Sequence, residues 1–427
     1  MSAADEARSP EPETRPDRLG FWLSVFVVLI FSGGWITAIS GPDGDPEASG
    51  IIRVLYLPAY AATLALLASA PRRSLLAAVH APVLWLLMGL VFLSTLWSVD
   101  AETTTRRAVA VTFTSLAGVV IAARFDWPNL ARVLATSFAI LAVLSLAVGL
   151  GLPSFGRMSD IFPGAWRGLW SDKNGLGDKM ALGAVIALAA AILNPAQRRL
   201  WLGVAALVLG LTLLSTSKTS LVSLGAGLAA LGFVGVVRRG PALALLASTG
   251  AFAFIAVISL ALTLAPEQAL GLLGKDATFT GRTKIWAAAL RQIHLRPWTG
   301  YGYAAVWTNE SLWSPLAWIA KDAGFRPHHA HNSWLEIWLE LGLVGLGLWA
   351  LYWLETLVRA TLAAYRSPGA YLALPFLVVF SLTSLTEVLA LDYNDFIWLI
   401  FTALATRLAL GRRLMERAEV RAASTSP

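Results

Sequence analysis

Residues 241–264 read PALALLASTGAFAFIAVISLALTL, a run without a single charged side chain. An α-helix needs about 20 predominantly apolar residues to cross the hydrocarbon core of a bilayer. This run is long enough to cross, and further segments of the same kind lie on both sides of it. The sequence therefore predicts an all-α polytopic membrane protein.

The composition supports this class. Of the 427 residues, 57% are hydrophobic and 14% are charged, whereas a soluble domain carries roughly 25% charged residues. The formal net charge of +7 does not indicate a nucleic-acid partner, because the basic residues form short clusters between apolar spans. A sequence without cysteine excludes disulfides, thiolate zinc sites and thiol catalysis.

We expect about 12 transmembrane helices, the first of which is retained and is not a signal peptide. The expected units are a disordered cytoplasmic tail (1–19), nine helices (20–264), a long outer loop with an amphipathic helix (265–332), three helices (333–411) and a cytoplasmic tail (412–427). The apolar segments lie roughly at 21–39, 51–69, 77–98, 107–123, 130–150, 178–193, 199–215, 219–237, 241–264, 333–358, 370–391 and 395–411.

The basic residues predict the orientation, because Lys and Arg concentrate in cytoplasmic loops. With the N-terminus inside, every inner connection carries two arginines: Arg72 and Arg73, Arg124 and Arg132, Arg198 and Arg199, Arg238 and Arg239, Arg359 and Arg366. Both termini are then cytoplasmic. Arg106, Arg107 and Lys218 fall in short outer connections against this rule, and ionisable groups near membrane depth indicate a pathway or a site.

The segment 280–294 of the outer loop reads as an amphipathic helix that ends before Pro297. Its apolar face comprises Ile285, Trp286, Ala289, Leu290 and Ile293. Thr280 can cap it, which places Arg282 in the first turn, where a cation opposes the helix dipole. An anion bound at that N-terminus would explain the arginine. The alternative is an interfacial helix whose arginine reaches into the headgroups.

A histidine cluster follows at 326–332, which reads RPHHAHN. A neutral imidazole can act as a base near neutral pH or bind a metal. No further ligands with convincing zinc spacing are evident. The alternative is a polar helix entrance capped by Asn332.

Three acids and one more cation are candidates for the same site. Glu336 and Glu340 share a helix face, and Glu387 lies near the outer end of its span. They face a cavity, or they pair structurally with Arg106, Arg107 or Lys218. Lys173 precedes an Asn-Gly turn and is placed to meet an anion, although a plain turn explains the pattern equally well.

At these residues the chain resembles the bacterial O-antigen ligase and Wzy-type polysaccharide polymerase superfamily. The ligase pattern is His followed by Asn, Ser or Gln, nine residues, and Gly-x-x-Gly, which matches His331-Asn332 and Gly342-Leu-Val-Gly345. Leu346 departs from the small or aromatic residue that often follows.

Other motifs extend the resemblance over residues 85–405 or so. Arg282 within Gly-Arg-x-x-x-Trp matches the family's loop arginine, while Lys218 stands where many relatives have Arg. Trp97-Ser-Val-Asp100 before the arginine pair, and Lys173-Asn174 with Gly177, resemble the exopolysaccharide polymerase branch.

The resemblance implies a GT-C-like fold in the bacterial inner membrane and metal-independent, inverting glycan transfer on the periplasmic side without a cofactor. The donor would be an undecaprenyl-diphosphate-linked oligosaccharide, and the acceptor a glycan or lipid A core. A flippase and a chain-length regulator would be further partners. Arg282, Lys218, Arg106 and Arg107 would hold the diphosphate. His331 would align or deprotonate the acceptor hydroxyl, with His329 as the rival.

Polymerisation of lipid-linked repeat units is the leading hypothesis, and ligation to lipid A core is the nearest alternative. From another class, the chain could be a polysaccharide transporter or lipid-linked glycan flippase, although neither paired broken helices nor repeat symmetry is evident. A metal-dependent transferase would use Asp43 and Asp45, which can hold a divalent cation.

Overall fold

A computed structural model describes residues 17–41, 50–159, 162–265, 268, 282–309 and 311–424, without the side chains of 262 and 411–424. Within these ranges the backbone is almost entirely helical, and one isolated bridge pairs Arg157 with Trp166. The predicted all-α class is confirmed. The predictions for the N-terminal tail up to residue 16, Asp43, Asp45 and Thr280 lie outside the described residues.

The helices are numbered here in chain order. They are α1 (Arg18–Phe31), α2 (Ile36–Ser40), α3 (Gly50–Val54), α4 (Leu57–Ser69), α5 (Pro71–Val79), α6 (Pro82–Leu93), α7 (Ala101–Arg124), α8 (Trp127–Gly151), α9 (Pro153–Gly156), α10 (Lys173–Leu193), α11 (Arg198–Leu214), α12 (Lys218–Val237), α13 (Pro241–Leu264), α14 (Arg282–Leu295), α15 (Pro315–Ala323), α16 (Ser333–Arg366), α17 (Ala370–Thr383) and α18 (Phe396–Ser424).

Eight of the described helices are long and apolar enough to cross a membrane, or nine if α5 and the helix after it, bent by 83°, form one span. Three shorter apolar helices, α1, α17 and the part of α18 over Phe396–Leu410, correspond to the other predicted segments. The multi-pass membrane class is confirmed. The number 12 stays a prediction.

Three predicted spans are shorter in the structure, and the one predicted at 77–98 is reduced to α6 followed by a 3₁₀ turn over Ser94–Trp97. α1 ends at Phe31 rather than near residue 39, because the Ser32 hydroxyl donates to the Leu29 carbonyl at 2.6 Å and Gly33 turns the chain with φ +64°. α17 ends at Thr383 rather than at 391, where the Ser384 hydroxyl donates to the Ser381 carbonyl at 2.8 Å. Residues 384–395 are therefore irregular.

The irregular segment 384–395 lies at the end of the bundle where α7, α10, α12 and α16 begin. α7 packs on α18, and α10 packs on α8, α11 and α12. The core includes a fully buried aromatic cluster in which Trp398 and Phe401 stack at 5.4 Å, next to Trp349. This packing brings the four helix starts and segment 384–395 together, so polar groups far apart in sequence meet there.

A break in α16 explains the Gly-x-x-Gly motif. Gly342 has φ +66° inside the helix, a conformation that favours glycine. The break frees the backbone carbonyls of 339–340, which accept hydrogen bonds from the N–H groups of 301–302 at 3.1 and 2.9 Å. A Cβ on Gly342 would collide with the Trp298 carbonyl. The glycine therefore lets the loop after α14 dock on α16 just below the histidine cluster.

Candidate active site

One carboxylate joins the two residues that the sequence singles out most strongly. Glu387 accepts a hydrogen bond from the Arg282 guanidinium at 2.5 Å through one oxygen. Its other oxygen lies 3.1 Å from Nδ1 of His331. The Arg282 guanidinium also donates to the Thr386 carbonyl. The irregular segment after α17 thus fixes both the start of α14 and the histidine before α16.

The electrostatics keep Glu387 ionised. Burial acts to raise its pKa, but the hydrogen bond from His331 and the positive charge of Arg282 outweigh burial, so the pKa lies below its ordinary value. A carboxylate accepts hydrogen bonds, so we assign the proton of the neutral His331 ring to Nδ1. Nε2 is then the acceptor. That nitrogen can take a proton from a bound hydroxyl.

The backbone at His331 is held in an unusual conformation. Its φ is +52°, which costs a non-glycine residue on the order of 1 kcal/mol or more. Two hydrogen bonds fix the backbone of the preceding Ala330. Its N–H donates to Glu336 at 2.8 Å, and its carbonyl accepts from the Trp286 indole at 2.8 Å. These contacts with α14 and α16 preserve the strained turn that points the imidazole at Glu387.

His329 lies beside His331, with ring centroids 3.9 Å apart. Its Nδ1 accepts the His331 backbone N–H at 3.2 Å. Burial and the neighbouring His331 ring lower the pKa of His329 to about 3. A histidine of that pKa stays neutral at physiological pH and is a weak base. Its contacts are those of a group that holds His331 in place.

Asn332 and Ser333 connect the cluster to α16. The Asn332 side chain accepts the N–H groups of Trp334 and Leu335 at 3.0 and 3.1 Å, so it caps α16, as the alternative interpretation of the cluster proposed. The Ser333 hydroxyl donates to the Glu387 carbonyl at 2.9 Å and accepts the Leu389 N–H at 2.8 Å. Ser333 therefore ties segment 384–395 to the start of α16.

Glu336 and Glu340 are both buried, at 5% exposure. Glu336 accepts from the Trp307 indole in addition to Ala330. Glu340 interacts electrostatically with Glu336 and Arg107. Glu336 thus supports the histidine turn directly, whereas Glu340 contacts the Ala304 backbone and Glu336.

Asp178 on α10 is a further carboxylate near Glu387, and the sequence analysis did not identify it. It is 4% exposed, accepts the Ser220 hydroxyl at 2.6 Å and interacts electrostatically with Glu387. A Cβ on Gly177 would lie 2.5 Å from that hydroxyl, so the glycine permits the close approach of α10 and α12. An acid and a lysine at the start of an apolar span were the signal that could have identified Asp178.

The starts of α10 and α12 bring two predicted cations together. Lys173 and Lys218 are the first residues of these helices and are close enough to interact electrostatically. The Ser217 hydroxyl donates to the Asn174 side chain at 3.0 Å, which joins the two helix starts. Because N-terminal N–H groups attract anions, this part of the site is electropositive.

Arg106 and Arg107 line a different part of the protein from Lys173 and Lys218. They line a cavity of about 740 Å³ whose described lining includes Arg53, Lys179 and Asp392, but not His331, Arg282, Glu387 or Lys218. Arg107 donates to the Ala304 carbonyl, and its guanidinium lies 4.9 Å from the centre of the Tyr393 ring. The four cations that the sequence analysis assigned to one diphosphate therefore form two groups.

Among the described residues, His329, His331 and Glu387 can hold a metal ion, with ligand atoms within 4.8 Å of one another. Two imidazoles and a carboxylate suit zinc. The Glu387 oxygens, however, already hold Arg282 and His331. A guanidinium on the same carboxylate opposes a second cation electrostatically.

Residues 203–350 match the family described as O-Antigen ligase. The chain is 29% identical over 283 residues to the "Exopolysaccharide production protein ExoQ" of Rhizobium meliloti, which covers 62% of each chain. It is 33% identical over 183 residues to the "O-antigen ligase" of Pseudomonas aeruginosa, which covers 43% of this chain and 40% of that relative. The chain thus spans less than two thirds of the curated relatives that it matches.

Proposed function

We propose that this chain is a member of the O-antigen ligase and Wzy-type polymerase superfamily, to which its similarities point, and that it transfers a glycan from a lipid-linked diphosphate to a hydroxyl acceptor. The observation that carries the proposal is the Glu387 carboxylate between Arg282 and His331. This arrangement places a base oriented by a carboxylate beside a fixed guanidinium. A base for the acceptor proton and a cation for the leaving diphosphate both favour transfer from a diphosphate.

The proposed reaction is a single displacement with inversion. Nε2 of His331 takes the proton of an acceptor hydroxyl while that oxygen attacks the anomeric carbon of the donor sugar. The bond from that carbon to the diphosphate oxygen breaks, and the diphosphate leaves with the electron pair. Glu387 keeps the proton on Nδ1 and stabilises the imidazolium that forms, as carboxylates do in other histidine sites.

Charge develops on the leaving diphosphate, so cations must be placed beforehand where it appears. Arg282 uses two of its five N–H donors on Thr386 and Glu387, and a guanidinium has donors left for a phosphate oxygen. Lys173, Lys218 and the N-termini of α10 and α12 supply further positive potential. Because these protein charges can stabilise the leaving diphosphate, we infer that the transfer is independent of metal.

We infer polymerisation of undecaprenyl-diphosphate-linked repeat units on the periplasmic side of the bacterial inner membrane. The longer of the two alignments, with the exopolysaccharide production protein, supports this role. The shorter alignment, with an O-antigen ligase, keeps transfer to lipid A core as the alternative. In cells, loss of polymer length on inactivation would support polymerisation, whereas full-length chains that fail to attach would support ligation.

The direct test is transfer by the purified full chain from an undecaprenyl-diphosphate-linked oligosaccharide in EDTA. We expect activity in the wild type and its loss in Arg282→Ala and His331→Ala. Arg291→Ala and His294→Ala are matched controls, since both residues are exposed on α14 and Arg291 pairs with Asp322 away from the site. Activity that survives in both site variants, or that requires added zinc, would contradict the proposal.

A further inference from the structure

The second cation group lines a cavity of its own. The cavity of about 740 Å³ lies among α1, α4, the start of α7 and segment 384–395. Arg53, Arg106, Arg107 and Lys179 bring four positive charges to its lining. A volume of this size holds a ligand of several hundred daltons, which suits a diphosphate with its first sugar.

The rim of the cavity suits a lipid headgroup. Arg53 and Arg106 are exposed, and exposed apolar side chains stand beside them, with Leu57 at 54% and Val109 at 40% exposure. Cations next to exposed apolar groups on membrane-spanning helices match an amphiphile whose head is anionic and whose tail lies in the bilayer. A water-soluble sugar would need no such apolar rim.

Two acids also belong to the lining, and burial disfavours their charged forms. Asp392 and Asp395 both face the cavity. Burial and their proximity to each other raise the pKa of Asp392 well above its ordinary value, and burial also raises that of Asp395. Protonated carboxyls can donate hydrogen bonds to phosphate or sugar oxygens.

The cavity and the candidate active site share two walls. On α10, Asp178 contacts Ser220 and interacts with Glu387, whereas the next residue, Lys179, lines the cavity and lies 5.4 Å from the centre of the Trp170 ring. In segment 384–395, Glu387 belongs to the active site and Asp392 to the cavity. The two sites are therefore adjacent but separately lined.

We propose that this cavity binds the diphosphate head of a second lipid-linked substrate, the acceptor repeat unit. The inference rests on the proposed polymerisation, in which both substrates carry a lipid diphosphate but only the donor loses it. The acceptor hydroxyl lies at the far end of an oligosaccharide, so the acceptor's own diphosphate must bind at a distance from His331. The division of the cations into two groups meets this requirement.

Binding stoichiometry tests the proposal independently of turnover. Undecaprenyl diphosphate is titrated into the full chain in nanodiscs, and native mass spectrometry counts the bound lipid. We expect two molecules on the wild type, one on the Arg106→Ala/Lys179→Ala variant and one on the Lys173→Ala/Lys218→Ala variant. Arg198→Ala/Arg199→Ala, which changes two exposed arginines at the start of α11, is the matched control and should keep two.

Kinetics supply a second readout. The Arg106→Ala/Lys179→Ala variant should raise the KM for the lipid-linked acceptor at least about tenfold, because it removes two charge-assisted contacts. The KM for the donor should change less. Arg106→Ala alone, at an exposed position, gives the same direction if the double variant folds poorly.

Four outcomes would overturn the proposal, three of them with undecaprenyl lipids. These three are a single bound molecule on the wild type, two molecules retained on the cavity variant, or equal displacement by neutral undecaprenol. Lipid A core displacing the second molecule where the lipid-linked repeat unit does not would also overturn it. Two bound molecules without any glycan transfer would instead contradict the proposed function and leave the second lipid site standing.

Discussion

Nδ1 of His331 and Oε2 of Glu387 lie 3.1 Å apart, although 56 residues separate them in the chain. The other oxygen of Glu387 holds Arg282, so one side chain positions both residues that the family resemblance singles out. Glu387 lies in the irregular segment 384–395, beyond the matched residues 203–350. The proposed chemistry thus depends on a residue outside the family match.

Glu387→Gln is expected to lower kcat about a hundredfold or more while the protein remains folded. The amide loses the charge that stabilises an imidazolium on His331, and base catalysis is worth about 10²–10⁴ in rate. Steady-state transfer assays with circular dichroism check this. The control is Asp322→Asn, which removes the carboxylate charge from another arginine ion pair, that of Arg291. It should keep wild-type kcat. An unchanged kcat in Glu387→Gln would remove Glu387 from the mechanism.

Acidification is expected to destabilise the fold through His329. Its folded pKa of about 3 lies below the ordinary 6.5, so below pH 6.5 the unfolded chain binds a proton that the folded chain excludes. The contribution of neutral His329 to the free energy of unfolding is fully present above pH 6.5, and it falls as the pH decreases toward 3. Because the pKa of Glu387 is lowered in the folded protein, acid below about pH 4.5 also decreases the stability of the fold.

Melting temperatures in detergent between pH 7.5 and 5 measure this effect. His329→Gln should flatten the decline, because it removes the titrating group. His294→Gln, at an exposed position, should keep the wild-type slope. Identical slopes for wild type and His329→Gln would show that the His329 environment does not exclude the proton.

Gly342→Ala is expected to destabilise the protein by about 3 kcal/mol or more. Alanine is strained at φ +66°, and its Cβ meets the backbone of Trp298. Gly347→Ala on the same helix is the control, because a Cβ there meets no atom within 4 Å, and alanine favours a helix. Thermal unfolding of both variants measures the difference in stability. Equal stability would mean that the loop after α14 does not need the break in α16.

Lys218→Ala should raise the KM for the lipid-diphosphate donor about tenfold, and the increase should shrink at high salt because screening weakens exposed charge contacts. Lys218→Arg should retain most of the affinity, since it preserves the charge with a different hydrogen-bonding geometry. Lys321→Ala, at an exposed position on α15, is the control. A donor KM unaffected by Lys218→Ala would place the diphosphate elsewhere.

Several local features could be predicted from the sequence. The buried face of α14 includes the predicted Ile285, Ala289 and Ile293, because helical periodicity alone places them together. The Asn332 cap follows from the preference of that side chain for helix starts. The apolar spans follow from composition and length.

Other features could not be predicted. The ends of α1 and α17 were misplaced because hydroxyl and glycine turns stop helices that remain apolar in sequence. Asp178 was missed because it stands beside Lys179 at the edge of the predicted span 178–193, and its partner Ser220 lies on another helix. The sequence does not predict that Arg106 and Arg107 line the cavity while Lys218 lies beside Lys173.

The sequence by itself determined the membrane class, the order of the helices and the residue types of the site, since all three depend on interactions within one segment or with the bilayer. The tertiary structure alone decided that Glu387 joins His331 to Arg282 and that the cations divide between a site and a cavity. Such contacts arise from how helices pack against one another, and the local periodicity of a sequence does not encode which helix starts meet.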